Sequence, residues 1–154
     1  MNGNLEIHRR KQRLDSAFTR AERLDADAEI LSDFAKYLCV LVSGFLEKSI
    51  VEVLLEYSRK HSDPRIQRHI EKRLDRLTNL KAGRLIETMG SFDPRWQVDL
   101  ESYIVDERKD ALDSIVDLRN RIAHGKDAGI TMKNLKEYYG RVCDVVKHVS
   151  EMCT

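Results

Sequence analysis

The sequence predicts an all-α fold, a single helical bundle, and three observations carry that prediction. Helix breakers are scarce, with 7 Gly and 2 Pro in 154 residues. Charged residues make up 34% of the chain and mix with Leu, Ile and Val at helical rather than alternating spacing. Both prolines follow an aspartate, in Asp63-Pro64 and Asp93-Pro94, so an N-cap acceptor precedes a proline suited to the first helical position.

The elements follow in order. A first helix is expected over 10–27, and a second over 28–60. The run "YLCVLVSGFL" at 37–46 makes the second helix apolar around more than half its circumference, as the central element of a bundle would be. Two further segments, 64–89 and 93–124, start at the Asp-Pro pairs, and each is long enough to hold a break. Gly125 can close the fourth segment in the left-handed conformation, and Thr131 can cap a last helix over 131–151 after the loop "GKDAGI". No repeat or linker divides the chain, so residues 1–154 form one domain, with 1–27 as an N-terminal helix or arm and 28–151 as the core bundle.

Composition narrows the function. Lys plus Arg number 27 against 26 for Asp plus Glu, a net charge of +1 that gives no general attraction to nucleic acid or anionic membrane. The longest apolar run is about half of the roughly 20 residues a bilayer span needs. The start, "MNGNLEIHRRKQR", lacks the apolar stretch of a signal peptide, so a cytoplasmic location is expected. Cys39, Cys143 and Cys153 show neither paired spacing nor an even count, and read as reduced thiols. His8, His61, His69 and His148 have no metal-ligand spacing and read as surface residues. A phosphate loop, a nucleophile elbow and H-E-x-x-H are all missing, and no metal or cofactor is expected.

Two charged residues break the apolar pattern. Glu47 projects between Val40, Val51 and Leu54, where a carboxylate needs a partner. In "DLRNRIAHG", 117–125, Arg119 lies near the centre of the stripe made by Leu112, Ile115, Val116 and Ile122, one heptad after Leu112. A snorkelling or structurally paired arginine is the ordinary alternative. His124 falls about 140° away in a regular helix, on the polar face with Asp113, Asp117 and Asn120. Asn120, one turn back, is placed to orient the imidazole. Arg119 would reach it only if the last turn loosens or a second chain contributes.

The string Arg119-Asn120-x-x-x-His124-Gly125 resembles the R-x4-H motif of the HEPN superfamily, and "GFLEKSI", 44–50, is similar to the second-helix element of its RiboL-PSP type. The likeness spans roughly 28–150. It implies a bundle of four core helices plus an extra one. It further implies that two chains pair with their R-x4-H helices facing, as a homodimer with a composite, metal-independent ribonuclease site. Arg119 would then point into the subunit interface with Glu47 as its charge partner or orienting group.

The residue types suit that chemistry. Attack by a 2′-hydroxyl needs a base to take its proton and cationic donors for the charge that develops on phosphorus. Histidine titrates near neutrality, and arginine offers a rigid, permanently charged fork. The expected products are a 2′,3′-cyclic phosphate and a 5′-hydroxyl, with Arg119, His124 and Asn120 as catalytic residues. Arg121 is a weaker candidate for a neighbouring phosphate and has an alternative i, i+4 partner in Asp117.

The segment 64–84 carries seven Lys or Arg against two acids, and Arg65, Arg68, Lys72 and Arg76 are candidates for tracking an RNA backbone. An ordinary charged helix face is the alternative. No aromatic residue interleaves with this patch or with "HRRKQR" at 8–13, a second basic stretch at what reads as a frayed terminus. The expected partners are a second copy of the chain, an RNA substrate and an antitoxin or other regulatory protein, and the expected role is that of a toxin or effector in prokaryotic defence or stress control. Rival readings are a non-catalytic HEPN module that binds RNA or protein, and a helical antitoxin or adaptor that binds a partner enzyme. HEPN toxins that a nucleotidyltransferase modifies carry a tyrosine two residues after the histidine, where this chain has Lys126.

Overall fold

The computed structural model describes residues 3–154, which form seven α-helices: α1 Gly3–Glu22, α2 Ala28–His61, α3 Pro64–Leu74, α4 Ala82–Phe92, α5 Pro94–Tyr103, α6 Asp106–Ala123 and α7 Met132–Met152. Helix α2 is the central element, packed by α1, α3, α6 and α7, while α4 and α5 pair with each other beside it. Among the described residues no helix is long and apolar enough to cross a membrane.

Capping chemistry sets several boundaries. Asp27 accepts the Ile30 N–H at 2.9 Å and starts α2, and Asp63 does the same for Arg65 ahead of Pro64. Asp93 ends α4 and caps α5 in one residue, accepting the Arg95 N–H at 2.8 Å. The corner it makes is tight, because a Cβ on Gly90 would stand 2.9 Å from the Cβ of Gln97. Thr131 caps α7 through Asn134 N–H.

Both long segments break. The 64–89 expectation ends at Leu74, and the chain crosses 75–81 with Asn79 at φ 55°, a conformation asparagine tolerates better than most residues. Burial of Leu80 pulls this loop into the core. The 93–124 expectation breaks at the β-branched pair Ile104-Val105, with Ile104 buried and Asp106 at φ 52°. At the other end α1 begins at Gly3 rather than near residue 10, so the basic stretch 8–13 is helical.

One core joins all the layers. Leu14, Ala17, Phe18 and Ala21 of α1 lie in the same cluster as Leu38, Leu46 and Ile50 of α2 and Leu135, Val142 and Val149 of α7, so α1 is packed into the bundle rather than extended as an arm. Tyr139 anchors this seam: its ring stacks on Phe18 at 4.8 Å and its hydroxyl donates to Asp15 at 2.6 Å. Burial and the Asp15 carboxylate push that phenol far above its ordinary range. Burial also raises the Cys39 thiol to about 11 and Cys153 to about 12, so both stay protonated and inert.

His148 differs from its expected surface role. Its ring stacks on Tyr103 at 3.8 Å, it meets Asp99 at 2.5 Å, and the Arg108 guanidinium covers the Tyr103 ring at 4.0 Å. This cluster ties α5, α6 and α7 together.

Candidate active site

Helix α6 ends in a Schellman turn that presents His124. The Lys126 N–H donates to Arg121 O at 2.8 Å and the Gly125 N–H to Ile122 O at 3.1 Å, with Gly125 at φ 67°. His124 is the C-cap residue, at φ −94° and ψ 11°, with its N–H on Asn120 O at 3.1 Å. Its side chain is exposed and makes no hydrogen bond among the described residues.

Arg119 lies one turn earlier and is half-buried. No acid lies within ion-pair distance of it among the described residues. Its guanidinium donates to Asn120 Oδ1 at 3.2 Å. Asn120 was expected to orient the imidazole. Its amide oxygen instead accepts from the arginine, whose long side chain reaches around the helix to it.

The topology shows what surrounds Arg119. Contacts of Lys136 with Glu22 and of Ser150 with Asn4 run α7 antiparallel to α1, hence parallel to α2, and Arg141 with Glu107 runs α6 antiparallel to α7. Cys39 Sγ lies 4.0 Å from Ile115 O, so Arg119 is level with the Phe34–Ala35 turn of α2. On the outer side of that turn, Ile30 is 50% and Tyr37 55% exposed, with Phe34 half-buried between them at helical spacing.

Neither of two expected pairings forms within the chain. Glu47 does not meet Arg119 within the chain; it is half-buried and accepts the Asn79 N–H at 3.2 Å. The face that looked apolar in projection is the flank of α2, where Val40 is exposed and Val51 half-buried, so the carboxylate serves the α3–α4 loop. Arg121 does not pair with Asp117. Lys81, from the end of that loop, takes Asp117 at 2.7 Å, and Arg121 reaches forward to Asp127 O at 3.2 Å, bracing the turn after His124.

Comparison with protein families decides the assignment: the family model described as RiboL-PSP-HEPN matches residues 5–154. The chain belongs to the RiboL-PSP-HEPN family. No curated protein and no solved structure matches it. The all-α architecture agrees with a HEPN helical fold, and membership points to a role in RNA cleavage or RNA binding. In this HEPN domain the Arg119, Asn120 and His124 positions occupy the last turn of one helix, open to solvent beyond the imidazole.

The candidate RNA-tracking residues separate. Arg65, Arg68, Lys72 and Arg76 are all exposed, but only Arg76 lines the large groove between α3 and α4. The other cations of that groove, Arg73 and Arg84, come from the same basic segment without having been singled out, and Phe92 contributes an aromatic ring. Nothing in the local pattern of 64–84 signals Phe92, since only the α4 turn carries it back to α3.

Proposed function

We propose that this HEPN domain is a homodimeric endoribonuclease that cleaves RNA without a metal, leaving a 2′,3′-cyclic phosphate and a 5′-hydroxyl. The observation that carries the reading is Arg119: a half-buried guanidinium with no acid partner among the described residues, one turn before an exposed histidine held by a Schellman turn. A guanidinium in that position has an ionic demand that none of the described residues meets.

A dianionic transition state meets that demand. The 2′-oxygen attacks phosphorus as one His124 imidazole takes its proton. The P–O5′ bond then breaks, with O5′ receiving a proton from an imidazolium, for which the partner's copy of the same position is the candidate. Arg119 addresses the non-bridging oxygens, and Asn120 fixes the guanidinium plane. Arg121 serves by bracing the 125–131 loop rather than by touching phosphate. The dimer reading is supported by the exposed Ile30–Phe34–Tyr37 stripe at the same end of the molecule, an apolar surface that a second copy would cover. The role we propose for it is that of a toxin or effector held in check by a regulatory protein, a reading that takes its support from the family likeness alone.

The test is cleavage of RNA pools in EDTA by wild type, His124→Ala and Arg119→Ala at matched folding, with the product ends identified. Cyclic-phosphate ends that vanish in both variants are expected. A folded dimer that cleaves nothing, or cleavage that survives both substitutions, would refute the proposal in favour of a binding module or adaptor.

A further inference from the structure

The α3–α4 groove encloses about 1130 Å³, above the roughly 300–1,000 Å³ of small-molecule pockets, and is open along its length. His69, Arg73 and Arg76 line one wall, and Arg84 stands on the other beside the one acid of the lining, Glu87. None of the three guanidiniums has an ion-pair or hydrogen-bond partner among the described residues. The floor is apolar, made by Ile70, Leu74 and Leu77, and it ends at the half-buried ring of Phe92, whose far side packs against Trp96.

Cationic walls, an apolar floor and an aromatic end are the combination that holds a single strand of nucleic acid, with phosphates on the guanidiniums and a base on the ring. A duplex keeps its bases stacked inside and is read by shape across its shallow groove, so it offers no free base to the Phe92 ring. Position links the groove to the cleavage motif. The loop leaving it is fastened to α6 by Lys81 on Asp117 and by the Ala82 N–H on Asp113 at 2.9 Å. Asp117 lies seven residues before His124, about 11 Å along the helix axis.

We propose that the α3–α4 groove is a binding site for a single-stranded segment of RNA flanking the scissile bond, with Arg73, Arg76 and Arg84 as its phosphate contacts and Phe92 as its stacking platform. The proposal takes its ligand class from the ribonuclease reading. The strand leaves the groove over the Lys81–Asp117 clip and runs along the polar face of α6 to His124.

The experiment measures fluorescence-anisotropy binding of a mixed-sequence 12-nucleotide RNA to full-length His124→Ala protein, so that cleavage does not intrude. The same background carrying Arg73→Gln and Arg84→Gln is compared, with circular dichroism confirming that these exposed substitutions leave the fold unchanged. The expected result is at least a tenfold weaker affinity, with the slope of log K against log salt reduced by about 1.4, at about 0.7 per single-strand phosphate contact. A duplex of the same length should compete poorly.

Unchanged affinity and slope in the double variant, with wild type still cleaving RNA, would overturn the groove while leaving the ribonuclease intact. Equal competition by duplex would overturn the single-strand assignment. Displacement of the RNA by polyglutamate at equal charge concentration would reassign the groove to an acidic protein partner. Absence of both binding and cleavage would remove the ribonuclease reading itself and the groove proposal with it.

Discussion

Gly125→Ala isolates the device that presents His124. At φ 67° an added Cβ meets nothing within 4 Å, so no steric clash enters and the cost is that of a left-handed L-residue, about 1–2 kcal/mol. For a chain of this size that lowers the thermal midpoint by roughly 2–8 °C at fixed protein concentration. Gly129 supplies the matched control, since it also has positive φ, 49°, and open space around its Cβ, but lies outside the hydrogen bonds that close α6. Gly129→Ala should lose similar stability and keep its activity. Gly125→Ala should also lose cleavage by roughly 10- to 100-fold, because relaxing the Schellman turn shifts an imidazole whose placement must hold within about 1 Å. Gly125→Asn, which tolerates the left-handed region, should recover most of both. Equal loss of cleavage in the two alanine variants, or full activity in Gly125→Ala, would refute the argument that this turn positions the histidine.

Asp113→Asn should weaken the docking of α4, because the Asp113 carboxylate replaces a side-chain cap that Lys81 cannot give; the expected cost is about 1 kcal/mol by urea unfolding. Partial burial disfavours the Asp113 charge, but hydrogen bonds from Lys109 and the Ala82 N–H, with the charges of Lys109 and Lys81, outweigh it and hold the carboxyl below its ordinary range. Its contribution is therefore complete above about pH 4, the unfolded value, and is lost as pH falls through the lower folded value, so Asp113→Asn should flatten that part of the stability profile. Gly90→Ala should destabilise by about 1–3 kcal/mol, since the α4–α5 corner has no room for its methyl group, and unchanged thermal unfolding would show that Gln97 moves aside. Tyr139→Phe keeps the stack on Phe18 but strands Asp15 of one partner; a loss of about 1 kcal/mol in denaturant unfolding is expected. Tyr37→Glu puts a charge into the exposed α2 stripe and should shift light-scattering mass toward monomer together with loss of cleavage; a dimer that persists would move the interface elsewhere.

The helices were legible where a residue decides its own neighbourhood. Asp63, Asp93 and Thr131 cap the turns that follow them, and Gly125 closes the turn before it, so these boundaries depend on a few adjacent residues. The breaks at 75–81 and 104–105 depend on distant groups. Asn79 leaves helical geometry where its N–H meets Glu47, 32 residues away, and Leu80 and Ile104 are held by the core rather than by their own turns. The candidate site divides in the same way. Arg119 on an apolar stripe and His124 before a glycine are readable from spacing, but the partners of Asn120, Arg121 and Glu47 are settled by competition: once Lys81 holds Asp117, Arg121 finds Asp127 O instead.

That competition also bears on why the site is open. Asp113 and Asp117, the two acids of α6 nearest its C-terminal end, are both engaged by the α3–α4 loop or by Lys109. Neither is left to neutralise Arg119 or to pair with His124. The fold thus engages these two acids at the α3–α4 loop, leaving the C-terminal end of α6 with a guanidinium and an imidazole that have no acid partner among the described residues. A structural helix end gains nothing from that arrangement, since an aspartate within reach of Arg119 would satisfy the guanidinium. Under the proposed function an anion from outside meets that guanidinium, and the phosphodiester of a strand held in the α3–α4 groove is the anion proposed for it.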